Sequence, residues 1–66
     1  MNITVNGKAE ITQEGISVSD LLTSLGYNNG FVAVAINQDC VPRSQFSETT
    51  LKGADDIEIL APMSGG

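Results

Sequence analysis

Residues 17–26 read SVSDLLTSLG, and this stretch decides the fold because the hydrophobic period changes here to that of a helix. Ser17, followed three residues later by Asp20, is typical of a capping box, and Gly26 stands where a helix-terminating glycine belongs. A helix of about nine residues does not persist alone in water. Its apolar stripe must therefore lie on a sheet. The stripe occupies the i, i+3, i+4 and i+7 positions of one helix face: Val18, Leu21, Leu22 and Leu25.

Two short alternating segments precede the helix and predict an antiparallel hairpin. NITVN places Ile3 and Val5 on one face of a strand, and KAEIT resumes the alternation through Ala9 and Ile11. Between them, the dipeptide Asn6-Gly7 is the strongest short-range hairpin signal, because both residues tolerate the positive φ of a type I′ turn.

Two further strands are predicted after the helix, beyond a loop at YNNG, residues 27–30. A turn at NQD precedes a strand at Cys40-Val41, which Pro42 limits to a short or edge position because proline cannot donate to a ladder. PRSQF at 42–46 fits a single helical turn led by the proline. FVAVAI at 31–36 reads as the longer strand, with Val32, Val34 and Ile36 on one face and Phe31, Ala33 and Ala35 on the other.

The last strand is predicted at IEILA, residues 57–61, which Pro62 ends. Its alternation places Ile57, Ile59 and Ala61 inward and Glu58 and Leu60 outward. The economical arrangement of these elements is α+β, with one helix packed across one face of a mixed sheet of four or five strands. Residues 1–62 then form one domain, and residues 63–66 form a flexible tail.

Composition narrows the classes of function. Of the 66 residues, 41% are hydrophobic and 17% charged, which is typical of a globular chain. The net charge is −5, and Lys8, Arg43 and Lys52 are too few and too scattered to neutralise nucleic-acid phosphates. No apolar run approaches the roughly 18 residues of a membrane helix, and no secretory signal opens the chain. We therefore expect a cytoplasmic protein with no nucleic-acid or membrane partner.

Residues suited to catalysis are scarce. Without a histidine, the chain lacks the usual general base near neutral pH and any His-based metal site. The lone Cys40 has neither a disulfide partner nor a histidine to activate it, so we expect a semi-buried thiol at the start of a strand. The sequence therefore predicts a protein that is not itself an enzyme and that holds no metal.

The chain closes on APMSGG, and the pair Gly65-Gly66 is open to several interpretations. A frayed terminus, the stub of a linker and a cloning scar all produce such an ending. A tail with a function of its own is the fourth interpretation, and the tail residues alone do not decide among the four.

Several motifs along the chain occur together in one known family. They are ITVNGK at 3–8, AIN at 35–37, VPRSQF at 41–46, LKGADDIEIL at 51–60 and the closing APMSGG. Because of these motifs, the whole chain resembles the ThiS family of sulfur carriers, which have the ubiquitin-like β-grasp fold. The NG hairpin and the G-x-D-x-I-E-I strand entry recur across β-grasp carriers, whereas VPR and APM-x-GG favour the thiamine branch. The resemblance implies that the first and last strands pair in parallel at the centre of the sheet.

The resemblance also implies that Gly66 is the residue that is modified. In the family, an E1-like adenylating enzyme of the ThiF type uses ATP to convert the terminal carboxylate into an acyl adenylate. A sulfur donor, such as a cysteine desulfurase system, then leaves a thiocarboxylate, whose sulfur passes to a thiazole synthase of the ThiG type. Gly65 and Ser64 would thread the tail into the partner's site, since glycine allows close backbone approach. The carrier itself would need no cofactor.

A docking surface is expected on the sheet face away from the helix, because a four-residue tail offers little area for specificity. The candidate docking residues are Leu60, Phe31, Ala33 and Ala35. Two other functions stay open: the sulfur-carrying small subunit of molybdopterin synthase, whose members are usually longer, and a ubiquitin-like interaction module whose tail is never activated.

Overall fold

The computed structural model describes residues 1–27 and 31–61 of the chain. Pro62, the predicted tail at 63–66 and the predicted loop residues 28–30 lie outside the described residues, so the boundary between domain and tail stays a prediction. The elements follow in the predicted order: β1 (Asn2–Val5), β2 (Lys8–Ile11), α1 (Val18–Leu25), β3 (Ala33–Ile36), β4 (Asp39–Val41), a 3-10 turn (Arg43–Gln45) and β5 (Asp56–Leu60).

The five strands form one mixed sheet in the order β2-β1-β5-β3-β4. β1 and β5 pair in parallel at the centre, as expected, and every other neighbouring pair is antiparallel. β4 has three residues and lies at one edge, which confirms the limit that Pro42 sets. The last strand in sequence thus joins the β1–β2 hairpin to the β3–β4 hairpin.

The C-terminus of α1 has the glycine cap that the sequence predicts. Gly26 has φ 86° and ψ 13°, and its N–H donates to the Thr23 carbonyl at 3.1 Å. The Tyr27 N–H donates to the Leu22 carbonyl at 2.9 Å, which completes a Schellman motif. At the other end of α1, the Ser17 hydroxyl accepts the N–H of the third helical residue at 3.0 Å.

A single core lies between α1 and one face of the sheet. The helix contributes residues from the predicted stripe, and β1, β3 and β5 contribute their inward residues. Two core residues come from the segment before β5, for which no buried residue was predicted: Phe46, which is 3% exposed, and Leu51, which is 2% exposed. The buried set is Ile3, Val5, Val18, Leu21, Leu22, Val34, Phe46, Leu51, Ile57 and Ile59.

The first hairpin turns on Asn6 and Gly7, whose φ values of 51° and 82° confirm the predicted type I′ conformation. This two-residue turn makes Val5 the partner of Lys8 and Thr4 the partner of Ala9. Since cross-strand partners share a face, the apolar residues of β2 lie on the face away from α1. Ile11 is accordingly 83% exposed.

Two strand ends differ from the prediction. β3 begins at Ala33, so Phe31 and Val32 precede the strand, and only Val32 packs against the core. β5 ends at Leu60, and Ala61, predicted to face inward, is exposed because the ladder with β3 stops one residue earlier. Among the described residues, no helix is long and apolar enough to cross a membrane.

Replacing Gly26 with alanine tests the helix cap. A Cβ at Gly26 would meet no heavy atom within 4 Å, so the penalty comes from the left-handed φ alone. We expect Gly26→Ala to lower the free energy of unfolding by about 1 kcal/mol, since a left-handed alanine costs about 1–2 kcal/mol, partly offset by a less flexible unfolded chain.

Gly53→Ala is the matched control, because its Cβ also meets nothing within 4 Å and Gly53 lacks a left-handed φ. Urea unfolding curves of both variants decide the point. Equal stability of the two variants would contradict the cap's role.

Candidate functional site

The candidate site begins where β5 ends. β5 is the central strand, and its last residue, Leu60, precedes the exposed Ala61. The predicted modified residue Gly66 and the predicted threading residues Gly65 and Ser64 lie outside the described residues. The described part of the site is therefore the end of β5 and the sheet face around it.

The two edges of β5 are paired to different extents. On one edge, β3 runs antiparallel to it over four pairs, from Ile36 opposite Ile57 to Ala33 opposite Leu60. On the other edge, β1 pairs only Thr4 with Asp56 and Val5 with Ile57. The backbone ladder with β1 stops because the chain turns away at residues 6 and 7.

The Asn6 side chain extends the pairing on the β1 edge of β5 by one more residue. Its Nδ2 donates to the Ile59 carbonyl at 3.2 Å, and its Oδ1 accepts the Ile59 N–H at 2.8 Å. Both bonds are partly buried. The sequence marked Asn6 only as a turn residue, and an asparagine at a turn beside a central strand is the signal that was available for this second role.

A second asparagine holds the beginning of β5. Asn37, in the turn between β3 and β4, has φ 50°. Its N–H donates to the Asp56 carbonyl at 2.7 Å, and its Oδ1 accepts the Asp56 N–H at 3.0 Å. Its Nδ2 donates to Oδ1 of Asp55 at 3.0 Å. Asparagine side chains from two hairpin turns therefore hold the two ends of the strand that leads to the tail.

Three of the four predicted docking residues lie together on the sheet face away from α1. Leu60 is 73% exposed, and its cross-strand partner is the exposed Ala33. Ala35, two residues further along β3, is half-buried and lies opposite Glu58. Phe31 is 67% exposed but precedes β3, so the strand register does not assign it to this face. The docking role of all four stays a prediction.

Acidic residues border this apolar group. Asp56 and Glu58 are exposed and share the outward face of β5 with Leu60. The arrangement, an exposed leucine and alanine beside two carboxylates, fits a partner with an apolar groove and a basic margin. Among the described residues, no group of three His, Cys, Asp or Glu side chains is placed to hold a metal ion.

Cys40 lies on the same face and is exposed, which corrects the expectation of a semi-buried thiol. It pairs with Ala35 across β3 and β4, and β4 is the edge strand, so no further strand covers it. The sequence located the strand correctly but gave no register, and the register decides which face the thiol takes.

Comparison with known proteins gives the same family by sequence and by structure. The model of the ThiS family matches residues 2–66. The sulfur carrier protein ThiS of Escherichia coli is 33% identical over 66 residues, which is all of both chains. A crystal structure of a thiamine biosynthesis protein, ThiS, from Geobacter metallireducens superposes with a TM-score of 0.85 at 38% identity and covers all of both chains.

A third relative is much longer than this chain. A thiazole synthase of Paramagnetospirillum magneticum is 32% identical over 66 residues, and the match covers all of this chain but 20% of that protein. The similarity is therefore confined to a fifth of the thiazole synthase.

The sheet order, the parallel pairing of β1 with β5 and the single helix across one face define a ubiquitin-like β-grasp protein. Within that class, the chain belongs to the ThiS family, the sulfur carriers of thiamine biosynthesis. This assignment favours the thiamine branch over the molybdopterin synthase subunit and over a plain interaction module.

Proposed function

We propose that this chain carries sulfur on the terminal carboxyl group of Gly66 for formation of the thiazole of thiamine. An α-carboxyl group has an ordinary pKa of about 3.3–3.7, so at neutral pH it is an anion and a poor electrophile. An E1-like enzyme overcomes this when the carboxylate attacks the α-phosphorus of ATP, which releases pyrophosphate and leaves a glycyl adenylate. A sulfur nucleophile then adds to the carbonyl carbon and AMP leaves. Hydrosulfide gives the Gly66 thiocarboxylate directly, whereas a persulfide from the desulfurase gives an acyl disulfide that a thiol then reduces to the thiocarboxylate.

The observation that carries the proposal is the position of β5. The central strand is paired on both edges and ends beside the exposed Ala61, so a partner can reach the end of β5 without opening the core. Glycines at 65 and 66 suit a narrow site beside a nucleotide because they have no Cβ. The family match, which extends to residue 66, supports the same role for the tail.

Catalysis belongs to the partners in this proposal. The activating enzyme binds ATP, a cysteine desulfurase system supplies sulfur, and a thiazole synthase accepts it. The similarity of this chain to part of a thiazole synthase supports a functional link between the carrier and thiazole synthases. The carrier contributes a reactive end and a docking face, needs no cofactor of its own, and acts in the cytoplasm.

Removing Gly66 tests the tail. We expect the shortened chain to lose ATP–pyrophosphate exchange with the E1-like enzyme, because the carboxylate then ends one residue short of the α-phosphorus. A chain extended beyond Gly66 should fail for the same positional reason. Melting curves should match the parent, since the change lies beyond β5. Undiminished exchange by the shortened chain would refute the proposal, and an intact mass with one oxygen replaced by sulfur at Gly66 would support it.

Leu60→Asp tests the docking face. Leu60 is largely exposed, so the variant should melt close to the parent, while a carboxylate in an apolar groove should weaken binding to the activating enzyme by roughly 1–3 kcal/mol, as expected of an interface anchor. Calorimetric titration beside a melting curve measures both.

Ile11→Asp is the matched control, because it adds the same charge at another exposed aliphatic residue on the same face. The strand registers place Ile11 level with residue 54, about 20 Å along the strand direction from Leu60. Equal affinity for Leu60→Asp and the parent would make Leu60 an ordinary surface residue. Equal losses for the two variants would point to charge rather than docking.

Cys40→Ser tests where the sulfur resides. The exposed thiol is a plausible alternative carrier, but the proposal puts the sulfur on the acyl carbon of Gly66. We expect Cys40→Ser to form the thiocarboxylate within a few-fold of the parent rate, measured by intact mass after reaction with the partner enzymes. Complete loss in a variant that still folds would overturn the assignment.

A further inference from the structure

The side chain of Asn6 makes a contact with β5 that the backbone of β1 cannot make. The last backbone bond between the two strands runs from the Asn6 N–H to the Ile57 carbonyl at 2.9 Å. A continuing parallel strand would next pair with Ile59, but the chain has already turned at Gly7. The Asn6 amide takes that place, with one bond to each backbone group of Ile59.

We propose that Asn6 is a positioning residue for the reactive tail, fixing the point at which the tail leaves the fold. This inference rests on the proposed activation of Gly66. Without the amide, the backbone groups of Ile59 lose their partner on the β1 edge. The end of β5 is then held by its pairing with β3 and by the buried Ile59 side chain, so its direction is less fixed. Extended, the seven residues from 60 to 66 would span at most about 25 Å, so a 10° change at Ile59 would move the far end by about 4 Å.

Two physical consequences follow from losing the contact. The backbone at the end of β5 must be restricted again when the tail enters the partner's site, and this loss of entropy opposes binding. A strand end whose direction varies also lowers the effective concentration of the carboxylate at the site. The sheet face would still dock, because Leu60 keeps its pairing with Ala33. The defect should therefore appear as a lower kcat at saturating carrier, whereas a merely less stable carrier would raise the apparent KM.

Asn6→Gly is the suitable variant because glycine keeps the φ of 51° and removes only the amide. Asn37→Gly is its matched control. Asn37 has a φ of 50°, and its Oδ1 accepts the N–H of Asp56 at the end of β5 remote from the tail, while its Nδ2 donates to the Asp55 carboxylate. Each variant loses two side-chain hydrogen bonds, one of them from a β5 N–H, and the two variants differ in which end of β5 is released.

The experiment combines amide hydrogen exchange by NMR with ATP–pyrophosphate exchange in the presence of the E1-like enzyme. We expect faster hydrogen exchange at Ile59 in Asn6→Gly and at Asp56 in Asn37→Gly. Asn6→Gly should lower kcat about tenfold, the order of effect expected when the backbone of about one residue must be restricted again, while Asn37→Gly stays within twofold of the parent. Asn6→Asp keeps the acceptor for the Ile59 N–H but loses the donor, and its kcat should be intermediate.

Three results would overturn the proposal: unchanged protection of Ile59 in Asn6→Gly, an unchanged kcat despite lost protection, or equal kcat losses in both glycine variants. If Asn6→Gly does not fold, Asn6→Asp against the parent decides the same points. If the parent chain supports no exchange at all, the proposed function fails instead. The positioning role is then judged by 15N relaxation at Leu60 and Ala61, and equal order in the parent and Asn6→Gly rejects it.

Discussion

The insertion of β5 between β1 and β3 is the constraint on which the rest of the structure depends. The two strands of each hairpin pair across a local turn, but neither hairpin alone supplies a face wide enough for the leucine stripe of α1. β5 contributes Ile57 and Ile59 to the middle of that face and bonds to both hairpins. The same strand leads to the base of the tail, so the element that closes the core also fixes where the proposed chemistry starts.

Much of this fold follows from local sequence, because its signals act over a few residues. The Ser17 hydroxyl cap and the Gly26 cap of α1, the type I′ turn at Asn6 and the edge position of β4 were predicted and are confirmed. The outward direction of the Ile11 side chain, in contrast, was not predicted. Alternation defines two faces but not which of them meets the helix, and only the register that the two-residue turn imposes gives the answer.

Long-range contacts explain the remaining differences. Phe46 and Leu51 are buried by packing between segments far apart in sequence, which no local period reports. Cys40 was expected to be half-buried, and the register of β4 against β3 exposes it. The residues of the candidate site divide in the same way. Leu60 and Ala33 were assigned to one face from their strand periods, whereas the second role of Asn6 depends on a contact across 53 residues that only the folded chain brings together.

The parallel pairing of β1 and β5 has a mechanical consequence. A force applied at Ala61 along the axis of β5 loads the hydrogen bonds on both edges of the strand in shear, so the two ladders share the force. A terminal strand at the edge of a sheet could instead be peeled away one bond at a time. A central strand that leads to the C-terminus is therefore harder to pull out of the sheet than an edge strand, and the domain keeps its shape under such a load.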